Sequence, residues 1–267
     1  MKHTALKKRL VPKLLIKHRK MGATVRPVLV TTRGFSQVIE VGDAVSQAKI
    51  YQAQLADELI VLNIDGTPIG DDPVIAALIE RLAAETFMPL AVGGGVRHIG
   101  DYHSLLEHGA DKVTVNTAAI EDLPLIAEAS KRFGAQCVVV SIDFRCEAAG
   151  VAQVYAHGAR ERTEFTVLEL ARRVVDAGAG ELLLTDADRD GTGEGLNHQV
   201  CAAVADRVDI PIILSGGCGR AEHFVDGFKL GHAEAVSAGT FFCFRDQNPI
   251  QTRAHVKNAG VPVRMET

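Results

Sequence analysis

Carboxylates, glycines and small polar residues recur at a few comparable places in this 267-residue sequence. Asp143 closes the apolar run Val138-Val139-Val140-Ser141-Ile142, at the C-terminal end of an expected buried strand. A carboxylate there can exchange protons with a bound substrate. The alternative use is to cap the following loop. Asp186, Asp188 and Asp190 alternate along Thr185–Gly193. Alternating carboxylates suggest a calcium loop, but the twelfth position, a Glu in such loops, is Asn197 here. The segment is read as a loop that closes on substrate and phosphate, without a metal. Gly93-Gly94-Gly95, Asn116-Thr117, Gly216-Gly217 and Ala238-Gly239 each follow a short apolar run. Glycine lets backbone N–H groups come close to an anion, so these loops are expected to hold phosphate.

Composition narrows the classes. The formal charge of -4 and the absence of Trp disfavour a polyanion-binding surface or a stacking platform for single strands. Nucleic acid is therefore not an expected partner, and a membrane is not expected either because no segment reaches the length of a span. The five cysteines (Cys137, Cys146, Cys201, Cys218 and Cys243) are scattered, which fits reduced thiols in a cytoplasm. Neither they nor the ten histidines show zinc spacing, and no cofactor is expected. The basic stretch Met1–Lys20 has its apolar run interrupted by Lys13, so it is not read as a signal peptide.

The elements that must position these residues alternate. Apolar runs at Leu10–Ile16, Leu59–Ile64, Met88–Val92, Val113–Val115, Cys137–Ile142, Leu182–Leu184, Ile210–Leu214 and Ala235–Ala238 read as strands. Helical spacing follows at Ala44–Ala56, Val74–Thr86, Leu123–Phe133, Val167–Ala177 and Phe224–Leu230. An open doubly wound sheet and a closed barrel share this pattern. An internal repeat separates them. Gly93–Gly95 matches Ser215–Gly217, and Gly109–Thr117 matches Gly231–Gly239, each 122 residues on. Asp57–Leu62 matches Gly180–Thr185 one residue further. Two four-stranded halves close most naturally into one (β/α)8 TIM barrel, expected to span residues 1–267 as a single domain. The glycine loops then form two anion sites facing each other across the mouth. His18–Val41 has weak periodicity and is expected to be a long mobile loop after strand 1.

The strings Ala91-Val92-Gly93-Gly94-Gly95-Val96-Arg97, Gly109–Ala119, Asp188-Arg189-Asp190-Gly191-Thr192 and Ser215-Gly216-Gly217-Cys218-Gly219 together resemble the cyclase (synthase) subunit of imidazole glycerol phosphate synthase. The resemblance covers nearly the whole chain. It implies phosphate binding at Gly94, Gly95, Asn116, Thr117, Gly191, Gly216, Gly217, Ala238 and Gly239, and catalysis at Asp143. It also implies a glutaminase partner on the N-terminal face, facing Asp111, and an ammonia gate of Arg9, Glu58, Lys112 and Glu181. Ammonia would cross the barrel to a phosphoribulosyl substrate, giving imidazole glycerol phosphate and aminoimidazole carboxamide ribotide.

Two positions depart from the family. Leu15 stands where it has its first catalytic aspartate, and Thr31 is the match for a substrate-binding lysine. Loss of one member of an acid–base pair removes a factor of about 10²–10⁴ in rate. The Leu14-Leu15-Ile16-Lys17 version of strand 1 resembles a branch found with surface-polysaccharide genes. That branch passes ammonia to a separate ATP-dependent amidotransferase building acetamidino sugars. A working cyclase with its acid at Asp65 or Asp186, and a non-catalytic glutaminase-activating scaffold, are the other readings.

Overall fold

The computed structural model describes residues 7–70, 72–147, 150–244 and 247–264; the first six residues of the basic N-terminal stretch lie outside them. The first half of the chain runs β1 (Arg9–Met21), β2 (Thr24–Arg33), β3 (Gln37–Gly42), α1 (Ala44–Ala53), β4 (Leu59–Asn63), α2 (Pro73–Glu85), β5 (Leu90–Gly93), α3 (Ile99–Glu107), β6 (Lys112–Val115), α4 (Thr117–Glu121) and α5 (Leu123–Phe133). The second runs β7 (Val138–Cys146), β8 (Ala152–Ala156), β9 (Glu161–Thr166), α6 (Val167–Asp176), β10 (Glu181–Asp186), α7 (His198–Ala205), β11 (Ile212–Ser215), α8 (Ala221–Lys229), β12 (Ala235–Ala238), α9 (Thr240–Phe244) and α10 (Pro249–Asn258). Helix starts follow local chemistry. Asp43 accepts from the Ser46 amide at 2.8 Å, and Thr166 with Glu169 forms a reciprocal cap on α6.

β1, β4, β5, β6, β7, β10, β11 and β12 pair in parallel, and β12 returns to β1. The sheet therefore closes, and the molecule is a (β/α)8 TIM barrel. Alternate residues of the eight strands point inward and stack in layers. The central layer is apolar: Val11, Ile60, Ala91, Val139, Leu183, Ile213 and Ala235 pack with Leu62, apart from the main core between strands and helices. Two residues further along the strands the lining turns polar, with Lys13, Thr114, Ser141, Thr185, Ser215 and Ser237 all buried.

The repeat has a backbone counterpart. Gly94 and Gly216 have φ of 90° and 89°, and Gly95 and Gly217 of 91° and 101°. A Cβ on Gly94 would collide with the backbone of Asn63, and one on Gly216 with the backbone of Asp186. The duplication also extends to excursions that the sequence matches did not include. β1 is followed by antiparallel β2 and β3, and β7 by antiparallel β8 and β9.

That corrects the expected loop at His18–Val41. β1 continues to Met21, turns through Gly22-Ala23 and pairs with β2 from Met21–Thr24 up to Leu15–Val30. Gly22 has φ of 63°, as the first central residue of a tight hairpin turn requires. The segment lacks helical period because it is a ribbon, rich in Val and Thr.

Candidate active site

Asp143 lies near the end of β7, inward-facing and 8% exposed. The Asn116 side-chain amide donates to it at 2.9 Å. Burial pushes the carboxyl up to about 7; Lys13 pulls it down, Asp190 pushes it up and the Asn116 hydrogen bond pulls it down. A carboxyl poised there can both hold and release a proton at neutral pH. Across the mouth on β1, Leu15 pairs with Leu62 and Val30 and is buried, so this strand offers no carboxylate opposite Asp143.

The two alternative acids are held in different ways. Asp186 is bound within its own loop, accepting from Asn197 Nδ2 at 2.8 Å and from the amides of Asp188 and Arg189 at 3.1 and 3.2 Å. Asp65 sits against His18, accepting from its backbone amide at 2.5 Å and facing its Nδ1 at 2.8 Å. Nε2 of that ring lies 2.9 Å from Asp72 Oδ2. Asp188 pairs with Arg145, and Asp190 with Thr32 and Lys13, so the three alternating aspartates serve three separate contacts. Thr31 is buried on β2 opposite Ile39 and carries no charge into the mouth.

The loops after β11 and β12 line a pocket together with Asp190 and Gly191; Gly216, Gly217, Ala238 and Gly239 all belong to its wall. Across the mouth, Asn116 Oδ1 is buried with no partner among the described residues, and Thr117 Oγ1 accepts the His157 amide at 3.1 Å.

At the opposite end of the barrel the four charged residues close into a ring. Arg9 bonds Glu58 at 2.5 Å and also Glu181, while Lys112 bonds Glu58 at 2.9 Å and Glu181 at 2.7 Å. Asp111 is exposed and accepts the Leu90 amide at 2.8 Å, so it also fastens the start of β5.

Over residues 9–247 the chain matches the family profile described as histidine biosynthesis protein. It is 44% identical over 261 residues to a protein of Prochlorococcus marinus (strain MIT 9313) provisionally named imidazole glycerol phosphate synthase subunit hisF2. That alignment covers 98% of this chain and 99% of the relative. The chain belongs to the histidine biosynthesis protein family. Within it, the chain is a cyclase-subunit relative, of the lyase class of barrels.

Two features of this cyclase-family barrel escaped the sequence reading. Lys13 is 5% exposed in the inner wall, with Nζ 3.0 Å from Ser215 Oγ and 3.6 Å from Asp190 Oδ1. A lone lysine within an apolar strand, at the inward parity of Arg9 and Val11, was the available signal. The second is the ribbon's grip on the β10–α7 loop. Thr32 Oγ1 donates to Asp190 Oδ2 at 2.7 Å, and the Gly34 amide donates to the Asp190 carbonyl at 2.8 Å. Among the described residues no helix is long and apolar enough to cross a membrane.

Proposed function

We propose that this barrel, acting as one domain in the cytoplasm, is the ammonia-accepting half of a glutamine amidotransferase. A glutaminase docks on the N-terminal face, ammonia passes the Arg9–Glu58–Lys112–Glu181 ring, and the C-terminal mouth presents it to a phosphorylated acceptor. The observation that carries this reading is the contrast between the ends: the ring is closed by ion pairs, whereas Leu15 faces Asp143 at the mouth. The N-terminal face also exposes apolar side chains, with Phe87 90% exposed before β5 and Leu230 52% exposed before β12, as a docking surface would. Asp111 belongs to the same face. At the mouth, ammonia's nitrogen adds to a carbonyl carbon of the acceptor: the C–N bond forms as the C=O π bond breaks, the carbonyl oxygen takes up a proton, and the Asp143 carboxylate takes the proton released by the nitrogen. The phosphates rest on Gly94, Gly95, Asn116 and Thr117 at one end, and on Gly191, Gly216, Gly217, Ala238 and Gly239 at the other.

The acceptor route is the finer part of the proposal. Leu15 in its Leu-Leu-Ile-Lys context supports transfer towards a surface sugar through a separate ATP-dependent amidotransferase. A second reading, cyclase of histidine biosynthesis, is favoured by one observation: Lys13 gives strand β1 an ionisable group facing the mouth from the side opposite Asp143.

Ammonia and the phosphoribulosyl substrate, given to the purified chain, separate the two. The proposal expects retained binding with turnover depressed about 10²-fold or more, and partial recovery in Leu15→Asp if the rest of the mouth is cyclase-like. Turnover of about 1–10³ s⁻¹ would restore the histidine cyclase. No complex on titration with the cognate glutaminase would remove the amidotransferase reading.

A further inference from the structure

Lys13 is a buried cation to which the ammonia-transfer proposal gives no role. Its ammonium carries three donor protons, and among the described residues one hydrogen bond receives them, the 3.0 Å contact to Ser215 Oγ. The nearest carboxylate oxygen, Asp190 Oδ1, is 3.6 Å away, well beyond the ~2.7–2.9 Å of a charge-assisted hydrogen bond. Asp190 meanwhile accepts a short 2.7 Å bond from Thr32 on its other oxygen. Asp143 also feels the charge of Lys13, but the two residues within 4 Å of its ammonium, Ser215 and Asp190, line the pocket formed by the loops after β11 and β12. Gly239, also in that wall, packs directly on the Lys13 backbone, where a Cβ would lie 3.1 Å from the Lys13 carbonyl oxygen.

A second observation in the same pocket points the same way. Ser237 lines it, is fully buried, and among the described residues its Oγ has no hydrogen-bond partner. Buried donors left unmatched cost about 1–3 kcal/mol each. A cation with spare protons and a spare hydroxyl, set behind the glycine loops that line this pocket, together call for an acceptor-rich anion.

We propose that Lys13 is the cation of this anion site, exchanging its loose contact with Asp190 for the phosphate of a phosphomonoester held by the loops after β10, β11 and β12. The proposal rests on reading those loops as a phosphate site and assigns that site its charged side chain. Binding draws the ammonium towards the anion, and Asp190 keeps Thr32. Asp190 is thereby a competitor of the ligand, not a part of its cradle.

The test is calorimetric titration of the whole chain with inorganic phosphate. Wild type is expected to bind at two sites. Lys13→Met should weaken one site tenfold or more and leave the other unchanged, whereas Asp190→Asn should tighten that same site several-fold. Two unaltered sites in Lys13→Met would overturn this inference alone, and weakening in Asp190→Asn would overturn the exchange. Absence of phosphate binding by wild type would overturn the phosphate-site reading together with it. Should Lys13→Met not fold, nitrogen-15 lysine spectra of wild type decide. The Nζ resonance assigned by its loss in Lys13→Arg should move on adding phosphate, and a stationary resonance would overturn the proposal.

Discussion

Asp143 shows how a single buried carboxyl makes stability depend on pH. Its proton affinity is raised, so the folded state holds the proton up to about pH 7, whereas an unfolded aspartate releases it near 3.8. Stability from this group is therefore fully present below about pH 4 and lost as pH rises through 7. The upper bound is about 4 kcal/mol, from about three pH units at ~1.36 kcal/mol each. Asp143→Asn keeps the shape and the contact with Asn116 without the charge. It is expected to melt higher than wild type at pH 8, with the advantage shrinking to nothing towards pH 4. Equal melting temperatures at both pH values would show that the carboxyl is not held near neutrality.

At the scale of elements, the β1–β2–β3 ribbon is tied to the mouth through Thr32 and Gly34. Thr32→Val removes the donor to a buried carboxylate oxygen and should cost about 1–3 kcal/mol. Thermal melts, and proteolysis concentrated in residues 18–42, would register it; an unchanged melting temperature would mean the contact carries little. The ribbon also marks the boundary of what the sequence discloses. The barrel strands were legible because most are continuous apolar runs, and α5 because Gly134 ends it. The ribbon was not, because exposed antiparallel strands need only alternate, and Met21, Val25, Val38 and Ile39 leave apolar side chains in solvent. In the candidate site, glycines and Asp143 stood out by type and place in the repeat. Lys13 did not, because its meaning depends on Ser215 and Asp190, partners about 200 and 180 positions away that only barrel closure brings close.

For the whole molecule, the two ends of the barrel are insulated from each other by the apolar layer around Val139 and Leu183. Charge at one end is screened little by solvent, so the ring at the N-terminal end must balance itself. Lys112→Ala leaves Glu58 and Glu181 sharing Arg9 alone. A buried carboxylate that loses its partner costs about 3–5 kcal/mol, and the remaining arginine places this case near the lower figure. The expected phenotype is a folded but less stable barrel whose glutaminase complex hydrolyses glutamine without delivering ammonia. Stoichiometric transfer in the variant, measured as glutamine consumed against ammonia released to solvent, would exclude a gating role for the ring.

The Gly34 amide donates to the carbonyl of Asp190, a residue that lines the pocket between the loops after β11 and β12. A main-chain bond of that kind makes the outer ribbon a recorder of events at the mouth. Exchange of the Gly34 amide with heavy water requires that contact to open, so its rate measures how often the β10–α7 loop lets go. Phosphate should slow that single amide while leaving amides of the β8–β9 ribbon unaffected. The pocket's occupancy would then be legible from a peripheral strand connection, on a timescale of minutes to hours and without any turnover.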